Sequence, residues 1–330
     1  MINDMSANPE ANQLISVVIA TKNRNDSVVH TVESILKNGY QPLEVWVIDQ
    51  STNDTCEQAM QLYQADARVI YQRSRTVGMA RARNLAIAQS KGSLIAITDD
   101  DCVVSDHWLQ TIHEAFLAYP KIAILFGNVL PGEYDAAAGF IPSYCRQQAR
   151  VISSPLAKND IDGLGACMAM RKDVWQALYG FDEMLGAGGL LRSSSEGDLV
   201  IHALHRGHAV GEMPNMRVTH NGFRAWKESH RLISRYWYGT GAMYGKHLKL
   251  YPISTFIVLA LLVWRWAFGT SRVADSLGAD TQKIARLKAF VAGFCKGLLL
   301  KIDRQTGHFK EHSGTKGRPY QADSKVGKCL

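Results

Sequence analysis

The sequence predicts an α/β fold: a doubly wound, mainly parallel sheet followed by a helical, basic C-terminal extension. Three observations carry that prediction. Short apolar runs rich in β-branched residues alternate with helix-length amphipathic segments between residues 14 and 220, as in βαβ units whose sheet is covered on both faces. One such run, Ser93-Leu94-Ile95-Ala96-Ile97-Thr98, ends in the acidic triplet Asp99-Asp100-Asp101, and open α/β sheets bind their ligands at the carboxyl ends of strands. The charge is also divided: residues 217–330 hold 20 Lys and Arg against 6 Asp and Glu, whereas residues 1–216 hold 17 against 24. A basic tail on an acidic body implies an anionic partner for the tail, either a lipid surface or nucleic acid.

The elements follow in chain order. Leu14–Ala20 is almost wholly apolar and β-branched and reads as the first strand. Asp26–Leu36 sets Val28, Val29, Val32, Ile35 and Leu36 at helical spacing, and Asn38-Gly39 stops that helix. Leu43–Ile48 is a second strand ending at Asp49; Asn53–Tyr63 is a second helix with Asn53 or Asp54 as cap. A short strand at Arg68–Tyr71 precedes a helix at Gly78–Ser90, closed by Lys91-Gly92. The strand of residues 93–98, a helix at Asp106–Ala118 and a strand at Ala123–Val129 come next. Pro131–Asp162, which holds Pro142 and Pro155, reads as a long surface loop with some helix, and loops of that length are usually functional or mobile. Ala166–Arg171 is a further strand. Gly186–Ser195 is flexible by composition, Glu196–Arg206 is a helix, and Ala209–Val218 is a last strand that ends at His220.

At 330 residues, with 46% apolar and 20% charged residues, the chain can bury a sizeable core and is globular rather than disordered in composition. Its six cysteines (Cys56, Cys102, Cys145, Cys167, Cys295, Cys329) form no CxxC pair and no Cys/His group at zinc spacing, which predicts thiols in a reducing compartment. Met1–Gln13 is polar and acidic, with no apolar core of signal-peptide type, so the body is not expected to be secreted.

Three successive carboxylates repel one another unless a cation sits among them. Hard, oxygen-only ligation suits Mg²⁺ or Mn²⁺, which commonly bridge to substrate phosphates. A solvated acidic turn or a helix cap is the plainer alternative. The surrounding motifs decide between them. Val17-Val18-Ile19-Ala20-Thr21-Lys22-Asn23-Arg24, Asp49 within Val47-Ile48-Asp49-Gln50-Ser51, Gly78-Met79-Ala80-Arg81-Ala82-Arg83-Asn84, and the acidic triplet occur in an order that resembles a family 2 glycosyltransferase with a GT-A fold. The resemblance covers residues 13–225. It implies that Thr21 and Arg24 lie in the nucleotide-contacting loop, that Asp49 reads the base, and that Arg83 approaches the diphosphate or base. It further implies that Asp99 touches the ribose, that Asp100 belongs to the nucleotide site, and that Asp101 ligates the metal. Arg81 and Arg83 are two apart on a predicted helix and face different directions, so at most one of them points into the site; Arg83 is favoured.

Ser195-Glu196-Gly197-Asp198-Leu199 falls on the family's Glu-Asp-x-Asp-Leu pattern, whose second acidic residue deprotonates the acceptor. That column holds Glu196, and Asp198 is the second choice; a general base needs only a carboxylate within hydrogen-bond reach of the acceptor hydroxyl. The same residues could form a capping box at a helix start. Ser195 stands where the family usually has an acid. His220, at the end of the last strand, matches a histidine that the family often uses as a metal ligand. The Gln-x-x-Arg-Trp signature of processive members is missing, which implies transfer of one sugar per encounter.

Ile253–Trp264 carries no charge over twelve residues, and Leu287–Leu300 is interrupted only by Lys288 and Lys296. Both fall short of the ~20 residues a spanning helix needs. With Trp226, Trp237, Trp264 and Trp266 and the surrounding cations, they describe helices lying in a membrane interface; an ordinary helical subdomain is the alternative. Nucleic acid is not expected, because the cations are interleaved with long aliphatic runs. The expected organisation is therefore a polar tail at 1–12, a catalytic domain at 13–225, a helical, basic, membrane-associated region at 226–306, and a disordered tail at 307–330. The expected function is a metal-dependent inverting glycosyltransferase, with Mn²⁺ or Mg²⁺ as cofactor. It moves one sugar from a nucleotide-diphospho-sugar, UDP-linked by preference, to a saccharide or lipid-linked hydroxyl. Its expected place is cytoplasmic, peripheral or monotopic on the cytoplasmic face of the inner (plasma) membrane. Two alternatives are a sugar-phosphate nucleotidyltransferase, which would want a glycine-rich loop after the first strand, and a non-catalytic nucleotide-sugar-binding scaffold, which would not hydrolyse a donor.

Overall fold

Alternation along the strands builds the sheet. In β1 (Ile15–Thr21) and β2 (Leu43–Asp49), Ile15, Val17, Ile19, Val45 and Val47 enter one core, while Val18, Trp46 and Ile48 enter the other. The computed structural model describes residues 12–268 and 283–311. Residues 1–11, 269–282 and 312–330 lie outside it, and with them most of both polar tails and part of the basic region.

The first core is closed by α1 (Asn25–Leu36) and α4 (Trp108–Ala118) through Val28, Val32, Ile35, Trp108, Ile112 and Phe116. The second is closed by α3 (Met79–Gln89) and α6 (Ser195–His205) through Ala82, Ala86, Ile87, Leu199, Val200 and Leu204. Helices on both faces make the sheet doubly wound, as the alternation predicts. β1 runs parallel to both β2 and β4 (Leu94–Asp99), and β2 runs parallel to β3 (Val69–Arg73). Beyond β4 lie β9 (Met168–Arg171), β6 (Ile122–Pro131), β10 (Ala209–His220) and β5 (Cys102–Val104), in that order. β9 is inserted antiparallel between β4 and β6, and β10 returns parallel to β6. The predicted second helix shortens to α2 (Thr55–Met60) with a 3-10 turn at Gln61–Tyr63. α5 (Lys172–Ala177) follows β9 directly and was not foreseen.

Two corrections bear on the site. Between the acidic triplet and the helix expected at Asp106–Ala118, which forms as α4, lies β5, a strand that the sequence does not predict, with Cys102 paired to His220 of β10. The stretch 131–162 is also more than a loop. β7 (Gly139–Phe140) pairs with β11 (Arg224–Ala225), β8 (Arg150–Ile152) pairs with β10, and a 3-10 turn spans Pro155–Asp160. Both are strands too short to show a period in sequence.

α7 (Trp226–Leu250), α8 (Pro252–Phe268) and α9 (Lys283–Leu299) form the extension. Gly241 and Gly245 of α7 meet the backbone of Phe290 and Phe294, while Gly293 and Gly297 of α9 meet Tyr238 and Ala242. The two small-xxx-small faces let these helices touch backbone to backbone. Residues 307–311, expected in a disordered tail, are packed: Phe309 is buried, its N–H donates to Asp182 (2.9 Å), and its ring lies under Lys246. Cation–π contact and apolar burial explain this docking, and polar composition hides it. No described helix is long and apolar enough to cross a membrane.

Candidate active site

Register lines up the predicted residues. Thr21 pairs with Asp49, and its neighbour Ala20 with Asp99, at the carboxyl ends of three adjacent parallel strands. Thr21 Oγ1 donates to Asp100 (2.7 Å), and the Arg24 guanidinium donates to Asp100 (3.1 Å) and, at short range, to Asp101. Burial pushes the Asp100 carboxyl up to about 6, against the opposing pull of Arg24 and Thr21. Asp49 reaches the same edge but is fully buried. Its carboxylate accepts from the Ser51 N–H (2.8 Å) and the Tyr71 hydroxyl (2.7 Å).

Asp101 meets His220 because β5 folds back along β10. His220 Nδ1 lies 2.9 Å from the Pro142 carbonyl, which can only accept, so Nδ1 carries a proton. Nε2 then faces Asp101 Oδ1 at 3.1 Å, and no other donor among the described residues reaches that buried oxygen. Burial would raise the Asp101 carboxyl, but His220 and Arg24 hold it down at about 2. Cys102 joins the pair, its sulfur within 4.8 Å of the Asp101 and His220 ligand atoms. An imidazole nitrogen and a carboxylate oxygen with no other donor, converging in this way, suit a divalent cation. A Cβ on Gly222 would stand 2.6 Å from Asp101 Oδ2 and 2.6 Å from His220 Nε2, so the chain leaves this place open.

Arg83 joins the two halves of the site. It is 1% exposed. One nitrogen donates to Glu196 Oε1 (2.5 Å) and the other to Asp99 Oδ1 (3.2 Å). Arg81 turns away to Glu183 and Glu311. Burial raises the Asp99 carboxyl, with Arg83 opposing. In Glu196 the same burial is outweighed by the charge and hydrogen bond of Arg83, and its carboxyl stays below the ordinary range. Ser195 Oγ donates to the other Glu196 oxygen (2.9 Å). Ser195 itself is fully buried, and a Cβ on Gly186 would sit 2.9 Å from its Oγ, so Gly186 packs closely against the position that is acidic elsewhere.

Asp198 lies elsewhere. Its oxygens take the Lys246 ammonium (2.8 and 2.9 Å) and the His247 ring (2.8 Å), and Lys246 also pairs with Asp182 (2.7 Å). All four side chains are buried. Lys246 and His247 sit on α7, outside the matched motifs, and nothing local in the sequence marks them as partners of Asp198.

An α/β sheet that lines up Thr21, Asp49 and Asp99 at the ends of β1, β2 and β4, with an antiparallel strand beside β4, defines an enzyme of the GT-A glycosyltransferase class. The chain belongs to the family 2 glycosyltransferases: residues 16–177 match the family model for Glycosyl transferase family 2. A Haloferax volcanii protein named glucosyl-dolichyl phosphate glucuronosyltransferase is 23% identical over 308 residues, 86% of this chain and 96% of the relative. An Escherichia coli protein named UDP-Glc:alpha-D-GlcNAc-diphosphoundecaprenol beta-1,3-glucosyltransferase WfaP is 31% identical over 123 residues, 35% of this chain and 46% of the relative. The S. aureus TarS 1–349 structure superposes with a TM-score of 0.60 at 15% identity, covering 86% of this chain and 81% of that one. Mannosyltransferase PcManGT of Pyrobaculum calidifontis, solved with GDP-Man and Mn²⁺, superposes with a TM-score of 0.56 at 18% identity, covering 90% of each chain.

Proposed function

We propose that this glycosyltransferase is metal-dependent and inverting, and moves one sugar from a UDP-sugar to a hydroxyl of a saccharide or lipid-linked acceptor at a membrane surface. The observation that carries the reading is Arg83, which ties Asp99 at the donor edge to Glu196 within one buried contact. Thr21, Arg24, Asp49, Arg83, Asp99 and Asp100 would hold the nucleotide. Glu196, kept ionised by Arg83, would take the proton of the acceptor hydroxyl. The acceptor oxygen then forms its bond to the anomeric carbon as the bond to the nucleoside diphosphate breaks. Asp101 and His220, with Cys102 near, would hold a divalent cation, which supplies Lewis-acid stabilisation of the leaving diphosphate. Asp198 is fully engaged by Lys246 and His247, which supports Glu196 as the base.

The UDP preference is supported by the name of the Escherichia coli relative and by TarS, solved with UDP-GlcNAc. The test is donor hydrolysis. UDP-glucose, UDP-N-acetylglucosamine and UDP-glucuronate should release UDP slowly with Mn²⁺ or Mg²⁺ and stop releasing it with EDTA. Faster cleavage of GDP-mannose, or turnover indifferent to EDTA, would overturn the donor or the metal assignment respectively.

The membrane reading rests on exposed apolar faces. Ile253, Phe256 and Val263 of α8 and Ile284, Val291 and Leu299 of α9 are solvent-exposed. The inner residues Leu259, Leu262, Phe290 and Phe294 of the same two helices pack into one cluster. Exposed apolar residues on helices that also carry Lys283, Lys288 and Lys296 fit an anionic bilayer. The acceptors in the names of the Haloferax and Escherichia relatives are lipid-linked. The protein should float with anionic liposomes. Phe256→Glu with Val291→Glu should weaken flotation about 100-fold or more, since each buried side chain of this size contributes roughly 1.5–3 kcal/mol. Unchanged flotation of that variant would remove the assigned face.

A further inference from the structure

We infer that the acceptor enters between the segment 221–226 and the first turns of α7, and that it carries a phosphoryl group gripped by Arg224 and Arg235 beside an aromatic wall. This rests on Glu196 as the base and names the acceptor class of that same site.

The chain leaves the Asp101–His220 pair and becomes this wall. The Asn221 N–H donates to the Asp101 carbonyl (2.8 Å), Phe223 and Trp226 follow, and α7 begins. Phe223 stands beside Tyr134, with ring centroids 6.4 Å apart, and Trp226 beside Phe140 at 5.2 Å. Tyr134, Phe223 and Trp226 are all exposed. Three aromatic side chains left in solvent against a catalytic centre are surface that a ligand covers, and flat rings suit the apolar faces of sugars.

Tyr236 closes the wall from α7. Ser193, just before Glu196, donates to the backbone carbonyls of Tyr236 (2.9 Å) and Arg235 (3.3 Å), which docks this turn of α7 on the base-bearing loop. The Tyr236 side chain nevertheless remains 43% exposed. Burial of its phenol end raises its pKa, Asp99 and Glu196 add to the rise, and Arg224 and Arg235 oppose it. The charges of Asp99, Glu196, Arg224 and Arg235 are all felt at this hydroxyl, and the hydrogen bonds from Ser193 set the turn that carries Arg235 against the loop before Glu196.

Those guanidinium groups lack the partners that other arginines near the site have. Arg24, Arg81 and Arg83 each face two carboxylates. The Arg224 guanidinium bonds only the carbonyl of its neighbour Phe223 (2.9 Å), and no hydrogen bond or ion pair of the Arg235 side chain occurs among the described residues. Both are half-buried. Half-buried guanidinium groups take an anion from outside, and their planar forks match phosphoryl oxygens. The donor diphosphate would lie with Asp101 and His220, so a second phosphoryl group belongs to the acceptor. A monophosphate or a diphosphate linkage would present the same chemistry.

The test is calorimetric binding to UDP-saturated protein, which needs no turnover. The probes are hexyl-diphospho-N-acetylglucosamine, hexyl-phospho-N-acetylglucosamine and neutral hexyl N-acetylglucosaminide. At least one phosphorylated probe should bind about 10-fold or more tighter than the neutral one, the scale of two charge-assisted hydrogen bonds, and the tighter of the two identifies the linkage. Arg224→Gln with Arg235→Gln should erase that preference and leave UDP affinity and melting temperature unchanged. Arg235→Lys, which keeps the charge without the fork, should retain part of it. The inference is overturned if wild-type protein shows no phosphoryl preference, if the double variant keeps it, or if that variant loses UDP affinity in parallel, since the arginines would then serve the donor. Glu196→Gln should keep the preference; a variant that keeps both preference and turnover sinks the base assignment alone.

Discussion

Glu196→Gln is expected to lower turnover by roughly 10²–10⁴-fold while UDP binding stays near the wild-type value, because a positioned general base contributes about that much. The amide keeps the shape of the side chain and can still accept from Arg83, so the Arg83 bridge to Asp99 survives. Asp198→Asn should behave differently. It removes the charge that faces buried Lys246 and His247, and breaking a buried pair costs about 3–5 kcal/mol. The first variant should be folded and inactive, the second destabilised. Paired measurements of kcat, UDP affinity and denaturant midpoint separate them. A folded Asp198→Asn protein without turnover beside an active Glu196→Gln protein would move the base to Asp198.

Asp101→Asn is expected to abolish metal-dependent UDP binding and to lower transfer by roughly 10³-fold, about 4 kcal/mol of stabilisation of the departing diphosphate. The substitution removes the negative charge that Arg24 and His220 both face. Titration of Mn²⁺ followed by its electron spin resonance, with and without UDP, reads the loss directly. Retained UDP-dependent Mn²⁺ binding in the variant would place the cation elsewhere. Gly222→Ala should give the same loss by crowding, because its methyl would sit against both Asp101 and His220.

The sheet was legible because its strands are long apolar runs bounded by Gly, Asn and Asp. The strand-end carboxylates were legible for a related reason: a parallel strand must end where its apolar run ends, so Asp49 and Asp99 declare their own places in the sheet. Residues two apart on a helix cannot face the same way, so the spacing limited the site to one of Arg81 and Arg83; the choice of Arg83 came from the family resemblance. β5, β7, β8 and β11 could not be read, since strands of two or three residues owe their existence to the partner strand.

Other features had no sequence signal at all. The packing of residues 307–311 depends on Asp182 and Lys246, which lie far from Phe309 in sequence. The glycines of α7 and α9 look unremarkable singly, and become necessary only once the two helices cross at backbone contact.

Local sequence by itself determined the α/β class, the carboxylate triplet at the end of β4, the acid-bearing start of α6, and a basic C-terminal third whose two apolar stretches are each shorter than the ~20 residues a spanning helix needs. Each of these follows from near-neighbour periodicity and charge. Only the tertiary structure decided which of two acids in Glu196-Gly197-Asp198 meets the donor edge. Asp198 is claimed by Lys246 and His247 from α7, while Arg83, more than a hundred residues from Glu196, holds Glu196 beside Asp99. It also decided that Asp101 meets His220, because β5 folds back on β10. The physical reason is the same in both cases. A carboxylate acquires its role from the charge that faces it in low dielectric, and that charge comes from another part of the chain.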